Sequence, residues 1–209
     1  MPVKTSLKNI AIVAHGQFDE SLKAKIEHCD HVIAVDGGLI YLDKLGIKPD
    51  PIIGDLDSLT DGILNRYPNI PVKKFLKDKD ETDLELAITH AAALNPDKIY
   101  LFAATGKRID HTVTNLILLS KYPGLVISES AEETIFAIKE EVTLKTKPGQ
   151  TISLLPLFGK AESVTTHGLN WELNNSTMSP DFYSQSNFAL GDEVRVSVGK
   201  GTLLCFIIQ

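Results

Sequence analysis

The apolar positions of this chain change their period near residue 130. Over the first 128 residues, short and almost wholly apolar runs alternate with segments whose apolar positions recur every three to four residues. Ile10–Ala14, His31–Val35, Pro51–Ile53, Val72–Leu76, Ile99–Ala103 and Leu125–Ile127 are runs of the first kind and predict strands. Glu20–His28, Leu39–Leu45, Thr82–Leu94 and His111–Leu119 predict helices; in the third, Leu84, Ala87, Ile88, Ala91 and Leu94 share one face. Apolar strands alternating with helices imply a parallel sheet covered on both faces and wound by right-handed crossovers. Residues 1–128 therefore read as a three-layer α/β domain.

Beyond that point the helical period is lost. Thr134–Ile138, Val142–Lys145, Thr151–Leu155, Ser163–Thr166, Phe188–Ala189, Glu193–Val198 and Thr202–Ile208 are short and strand-like. Turn signals separate them at Lys147–Gly149, Phe158-Gly159, Gly191-Asp192 and Gly199–Gly201. The pattern predicts an antiparallel β-sandwich over residues 129–209, with the boundary near Ser128–Glu133.

Four polar clusters follow the strands of the first half. They are Asp36-Gly37-Gly38, Gly54-Asp55-Leu56-Asp57-Ser58, Asp78 through Asp83, and Thr105-Gly106-Lys107-Arg108-Ile109-Asp110-His111. In open parallel sheets ligands bind outside the carboxyl ends of the strands, so all four are expected at one edge. Asp55 and Asp57 stand two apart, which in extended backbone puts both carboxylates on one face, where they can share a hard cation such as Mg²⁺. Asp83 opens a helix aimed at the same edge and is a third candidate ligand. Like charges about 4 Å apart cost about 4 kcal/mol at an effective dielectric near 20, so a polyphosphate here requires a divalent metal. Arg108 can grip phosphate with two hydrogen bonds, and the Gly106 turn with the helix beyond it favours anions.

Each cluster also has a local structural reading. Gly-Asp-x-Asp-Ser is good turn chemistry. Thr82 with Glu85 forms a capping box, Asp80 is a further cap candidate, and acidic residues suit a first helical turn. Asp110 could cap a helix rather than act in catalysis, and His111 reads as structural.

Composition narrows the class. The chain has 209 residues, 43% of them hydrophobic, and a net charge of −6. That balance, with no Lys/Arg block, argues against nucleic acid as a partner. Cys29 and Cys205 form no metal-binding spacing, and no apolar run reaches the length of a membrane span or a signal-peptide core. A reduced, cytoplasmic setting is expected. Walker A, protein-kinase and dinucleotide-binding glycine motifs are absent from the sequence.

Taken in order and spacing, Asp36-Gly-Gly, Gly-Asp55-x-Asp57-Ser58, Asp80-x-Thr82-Asp83-x-x-x-Ala87 and Gly106-x-Arg108-x-Asp110-His111 resemble the thiamine pyrophosphokinase family. Gly168-Leu169-Asn170-Trp171-x-Leu173 and Ser186-Asn187 resemble that family's thiamine-contacting segments, and Val194–Ile208 its last strands. The resemblance implies transfer of diphosphate from ATP to the hydroxyethyl group of thiamine, giving thiamine diphosphate and AMP. It implies an ATP- and Mg²⁺-binding α/β domain, a thiamine-binding sandwich, and a homodimer with thiamine at the subunit interface. Asp55, Asp57 and Asp83 would hold Mg²⁺, and Asp110 would lie near the reacting hydroxyl or the metal. Asp36, Gly37, Gly38, Thr82, Thr105, Gly106 and Arg108 would serve ATP; Trp171, Ser186 and Asn187 would serve thiamine. Lys107 departs from the family pattern, standing where glycine is expected. The residues alone leave two alternatives open: a related pyrophosphokinase with another alcohol acceptor, such as a pterin, or a non-catalytic nucleotide-binding module.

Overall fold

A computed structural model describes residues 7–57, 59, 61–76, 78, 80–157 and 159–209. Ser58, Lys79 and Phe158, which belong to the clusters and turns named above, lie outside the described residues. The chain divides into two compact units, residues 1–115 and 116–209.

The first unit runs β1 (Asn9–Val13), a 3₁₀ turn (Glu20–Leu22) leading into α1 (Lys23–Glu27), β2 (His31–Val35), α2 (Gly38–Leu45), β3 (Ile52–Gly54), α3 (Asp61–Leu64), β4 (Val72–Lys74), α4 (Asp83–Ala92), β5 (Lys98–Phe102) and α5 (Ile109–Lys121). The division between units falls inside α5. Strands pair in parallel in the order β5-β1-β2-β3-β4. Both faces are covered, as the apolar runs predict. Ala11, Val13, Val32, Ala34, Ile52 and Phe102 pack on one face against Leu22 and Ile26 and against Leu39, Leu42 and Leu45 of α2. Their strand neighbours Ile10, Ile12, Ile33, Ile53 and Leu101 are also buried, and α4 lies along β1, β2, β3 and β5. β4 is the exception. Its three residues are exposed, because it is the edge strand of this unit.

Helix boundaries follow local chemistry. Thr82 caps α4, its hydroxyl accepting the Glu85 N–H at 3.2 Å, which is half of the predicted capping box. The predicted helix over 111–119 extends to Ile109–Lys121, and the short α3 carries no apolar periodicity that would have announced it. At the amino edge of the sheet, carboxylates have structural duties: Asp30 accepts the N–H groups of Lys8 and Asn9, and Asp50 that of Val32.

In the second unit follow β6 (Val126–Glu129), β7 (Glu133–Ile138), β8 (Glu141–Lys145), β9 (Thr151–Leu155), β10 (Ala161–His167), β11 (Ser176–Met178), β12 (Ser184–Phe188), β13 (Glu193–Ser197) and β14 (Leu203–Ile208). They form two antiparallel layers, β12-β9-β14-β7-β6 and β11-β10-β13-β8. Ile138, Ile152, Leu154, Leu203 and Cys205 of one layer pack against Leu144, Ala161, Val164, Met178, Val194 and Val196 of the other. The chain is thus α/β with a parallel sheet, followed by an antiparallel sandwich. β11 and most of β12 were not legible, since Ser-Thr-Met and Ser-Gln-Ser-Asn offer little apolar alternation.

Candidate active site

Asp36, Asp55 and the start of α4 all stand at the carboxyl edge of the parallel sheet, as strand order requires. Asp36 follows β2 directly and takes a left-handed conformation, φ 45°. Its Oδ1 accepts the Leu56 N–H at 3.2 Å. Gly54, with φ 144°, ends β3 beside it; a Cβ built there would lie 1.8 Å from Asp36 Oδ1. Asp55 Oδ1 accepts the N–H of Asp57 at 3.0 Å, closing a small turn. Asp83 sits in the first turn of α4, half-buried.

Asp36, Asp55 and Asp83 each offer a carboxylate oxygen within 4.8 Å of the others. Burial, then the charge of Asp83, then that of Asp55 push the Asp36 carboxyl up to about 7, against the hydrogen bond from Leu56. Three carboxylates in partly desolvated contact are a costly arrangement without a cation. An all-oxygen, anionic donor set suits a hard divalent ion that keeps part of its water shell, and Mg²⁺ meets that description.

Asp57 stands outside this group and is exposed. The expectation that Asp55 and Asp57 share a face assumed extended backbone, but Leu56 between them has φ 67°. That left-handed turn breaks the two-residue alternation, and Asp36 joins Asp55 and Asp83 instead. The signal for Asp36 was its place at the end of the strand next to β3. Gly37 and Gly38 have no room for side chains: a Cβ would meet the His15 ring at 2.2 Å and the Val13 carbonyl oxygen at 1.9 Å, respectively. Asp78 and Asp80 are exposed.

The turn after β5 carries Thr105 through Asp110. Gly106 has φ 78° and Lys107 φ 56°. The Thr105 carbonyl accepts the Gln17 N–H at 2.8 Å, and the Gly106 N–H reaches Thr112 Oγ1 at 3.1 Å. Arg108 grips Asp110 through two nitrogens, at 2.5 and 3.2 Å, and both side chains are exposed. That hydrogen bond draws the Asp110 carboxyl down to about 2. Lys107 turns towards α2, where its Nζ donates to Tyr41 Oη at 2.5 Å. Burial and then the Lys107 charge lower the pKa of His15, whose ring lies 5.6 Å from that of Tyr41. His15, Gln17 and Tyr41 were not singled out in the sequence; an isolated aromatic on an amphipathic helix reads as core.

In the second unit, Trp171 is 61% exposed and meets the Phe188 ring edge-on at 5.4 Å. Asn187 is buried, and its amide is committed to the Trp171 segment. Oδ1 accepts the Trp171 N–H at 3.2 Å and the Phe188 N–H at 2.9 Å; Nδ2 donates to the Trp171 carbonyl at 2.8 Å and to Ser184 Oγ at 3.3 Å. Ser186 is exposed, with φ 55°, at a shift in register between β12 and β9, and its N–H donates to Ser153 Oγ at 2.9 Å. Asn187 therefore positions Trp171, while Ser186 leaves its hydroxyl at the surface.

Comparison with known proteins matches the two halves of the chain to two domain models. Residues 22–128 match the family model of the thiamin pyrophosphokinase catalytic domain, and residues 135–203 that of the thiamin pyrophosphokinase vitamin B1 binding domain. The chain is similar to thiamine pyrophosphokinase of Bacillus subtilis (strain 168), 32% identical over 180 residues that cover 81% of this chain and 83% of that one. It is 29% identical to thiamine pyrophosphokinase 1 of Arabidopsis thaliana over 177 residues, covering 78% of this chain and 66% of that longer protein. The crystal structure of the Bacillus subtilis enzyme superposes with a TM-score of 0.88 at 28% identity, covering 97% of this chain and 99% of that chain. That of the Geobacillus thermodenitrificans enzyme does so at 0.86 and 25%, covering 96% and 97%.

Proposed function

The chain belongs to the thiamin pyrophosphokinase family, and from that premise we propose how its own residues divide the work. The reaction is transfer of diphosphate from ATP to the hydroxyethyl group of thiamine, giving thiamine diphosphate and AMP. Residues 1–128 are proposed to bind ATP and residues 129–209 thiamine. The observation that carries this reading is the convergence of Asp36, Asp55 and Asp83 within 4.8 Å at the carboxyl edge of a parallel sheet.

Those three residues would hold Mg²⁺, with Asp57 at the rim of the same turn. When bound, Mg²⁺ would neutralise the phosphate oxygens that otherwise face this acidic cluster. Transfer of this kind depends mainly on positioning and charge stabilisation. Arg108 supplies a planar pair of donors for the diphosphate, released from Asp110 as the anion arrives. Thr105, Gly106, Gly37 and Gly38 bring backbone close to the phosphates, and Thr82 fixes Asp83 by capping α4. Asp110, paired with Arg108 before the diphosphate arrives, is left facing the reacting groups once Arg108 turns to the anion. There it would orient the acceptor hydroxyl or take its proton.

On the thiamine side, the exposed Trp171 ring offers a face to the thiazolium cation, an attraction of about 0.5–2 kcal/mol. Asn187 holds that ring in place, and the Ser186 hydroxyl is free to meet the pyrimidine edge. A homodimer with thiamine at the subunit interface is supported by Ile109, Val113 and Ile117, an apolar stripe along one side of α5 that is 81%, 50% and 38% exposed. Among the described residues no helix is long and apolar enough to cross a membrane, and both cysteines are free thiols; these features fit a cytoplasmic enzyme. Phosphorus NMR of ATP, Mg²⁺, thiamine and the protein tests the whole reading. AMP and thiamine diphosphate are the expected products, and ADP with thiamine monophosphate would refute it.

A further inference from the structure

We propose that Lys107, acting through Tyr41, is a positioning residue for ATP: a latch that fixes the phosphate-binding turn after β5 against the loop after β1. The proposal rests on the functional reading above and concerns a residue which that reading leaves without a task.

The order β5-β1-β2-β3-β4 winds outward from β1 in both directions, so the crevice between the ends of β1 and β5 is the topological switch point where such sheets take their ligand. Here the two loops are already joined. The Gly16 N–H reaches the Ala103 carbonyl at 2.6 Å, and the Gln17 N–H that of Thr105 at 2.8 Å. Neither side has room for a side chain: a Cβ on Gly16 would lie 2.3 Å from the Thr105 oxygen, and one on Gly106 2.6 Å from Gln17 Cβ.

Lys107 comes next, at φ 56°. Lysine gains nothing from a left-handed conformation by itself, so contacts must hold it there. Its ammonium donates to Tyr41 Oη at 2.5 Å and lies 5.2 Å from the centre of that ring. Tyr41 Oη in turn donates to the Gly16 carbonyl at 2.8 Å. Tyr41 is buried, and Phe18 stacks on it at 4.6 Å with the rings 6° from parallel. One continuous relay, Lys107 to Tyr41 to Gly16, thereby ties three segments: the turn after β5, helix α2, and the loop after β1. Arg108, the next residue along, inherits its placement from this relay. The Arg108 N–H is itself bonded to the Gly106 carbonyl at 2.7 Å, which leaves the turn little independent freedom. Position matters here because a small displacement of a phosphate-gripping arginine is felt in binding and rate.

The test combines steady-state kinetics with calorimetric ATP titration, on wild type, Lys107→Gly, Tyr41→Phe and the double variant. Each single variant is expected to raise the KM and the Kd for ATP about tenfold, the size of one hydrogen bond to a charged group, with the KM for thiamine little affected. The double variant should be no worse than either single one, since both break the same relay. Glycine suits the left-handed turn, so Lys107→Gly should melt no lower than wild type, which separates the effect from unfolding. Additive single effects would overturn the latch. So would a silent Tyr41→Phe beside an impaired Lys107→Gly, which would make Lys107 a direct phosphate contact. If wild type formed no AMP from ATP and thiamine, the functional reading would fail instead, and the ATP titrations would still decide the latch.

Discussion

Asp36 occupies the space that any side chain on Gly54 would need: an ideal Cβ lies 1.8 Å from its Oδ1 and 2.5 Å from its Cγ. The glycine's φ of 144° is a second barrier to substitution. Gly54→Ala should push the Asp36 carboxylate out of the acidic cluster and lower turnover roughly 100-fold, the cost of about an ångström of misplacement. AMP release under saturating substrates checks it, with circular dichroism to show an intact fold; wild-type turnover in a folded variant would remove Asp36 from the site.

Metal removal should make stability depend on pH in a defined direction. The Asp36 carboxyl sits at about 7 in the fold, against an ordinary value of 3.8. Between these values the folded chain keeps a proton that the unfolded chain has lost, so stability falls as pH rises through this window. Melting curves in a chelator should show that fall for wild type and less of it for Asp36→Asn. Millimolar Mg²⁺ should raise the melting temperature of wild type, most at the upper end of the window. Equal slopes for the two proteins would show that the carboxylates do not repel one another in the fold.

Trp171→Ala should raise the KM for thiamine roughly tenfold, consistent with loss of a cation–aromatic contact of about 1.4 kcal/mol. Asn187→Ala should do the same by a different route, freeing the Trp171 backbone, and should also cost about 1–3 kcal/mol of stability by leaving buried groups unpaired. Denaturant unfolding separates the two: Trp171→Ala should be close to neutral there.

Ile109→Glu or Val113→Glu should convert the proposed dimer to monomer, because a carboxylate in the apolar stripe of α5 cannot be buried unpaired. Light scattering on a sizing column reads this directly. A wild-type monomer at all concentrations would refute the assembly.

Much of this molecule was legible in its residues. Buried parallel strands declare themselves as apolar runs, so Ile10–Ala14 and Ile99–Ala103 mark β1 and β5 to within one residue. Thr82 announced the start of α4 through its own hydroxyl. The exposed edge strand β4 was found from Val72, Phe75 and Leu76, although its own three residues are exposed. What escaped depended on distant parts of the chain. Asp36 meets Asp83 only through the order of strands, and Tyr41 meets Lys107 across 66 positions. Asn187 was expected at thiamine through the family resemblance of Ser186-Asn187; its burial and its bonds to Trp171 exist only in the folded sandwich.

The left-handed Leu56 has a consequence for how the acidic motif is recognised. In Gly-Asp-x-Asp the two carboxylates attract attention and the residue between them looks interchangeable. Here that middle position decides which aspartates face one another. Glycine or asparagine could adopt its φ of 67°, whereas valine, isoleucine or threonine would resist it. A search that scores only the acidic letters would accept a chain with isoleucine at this place, and that chain would carry the motif without the geometry.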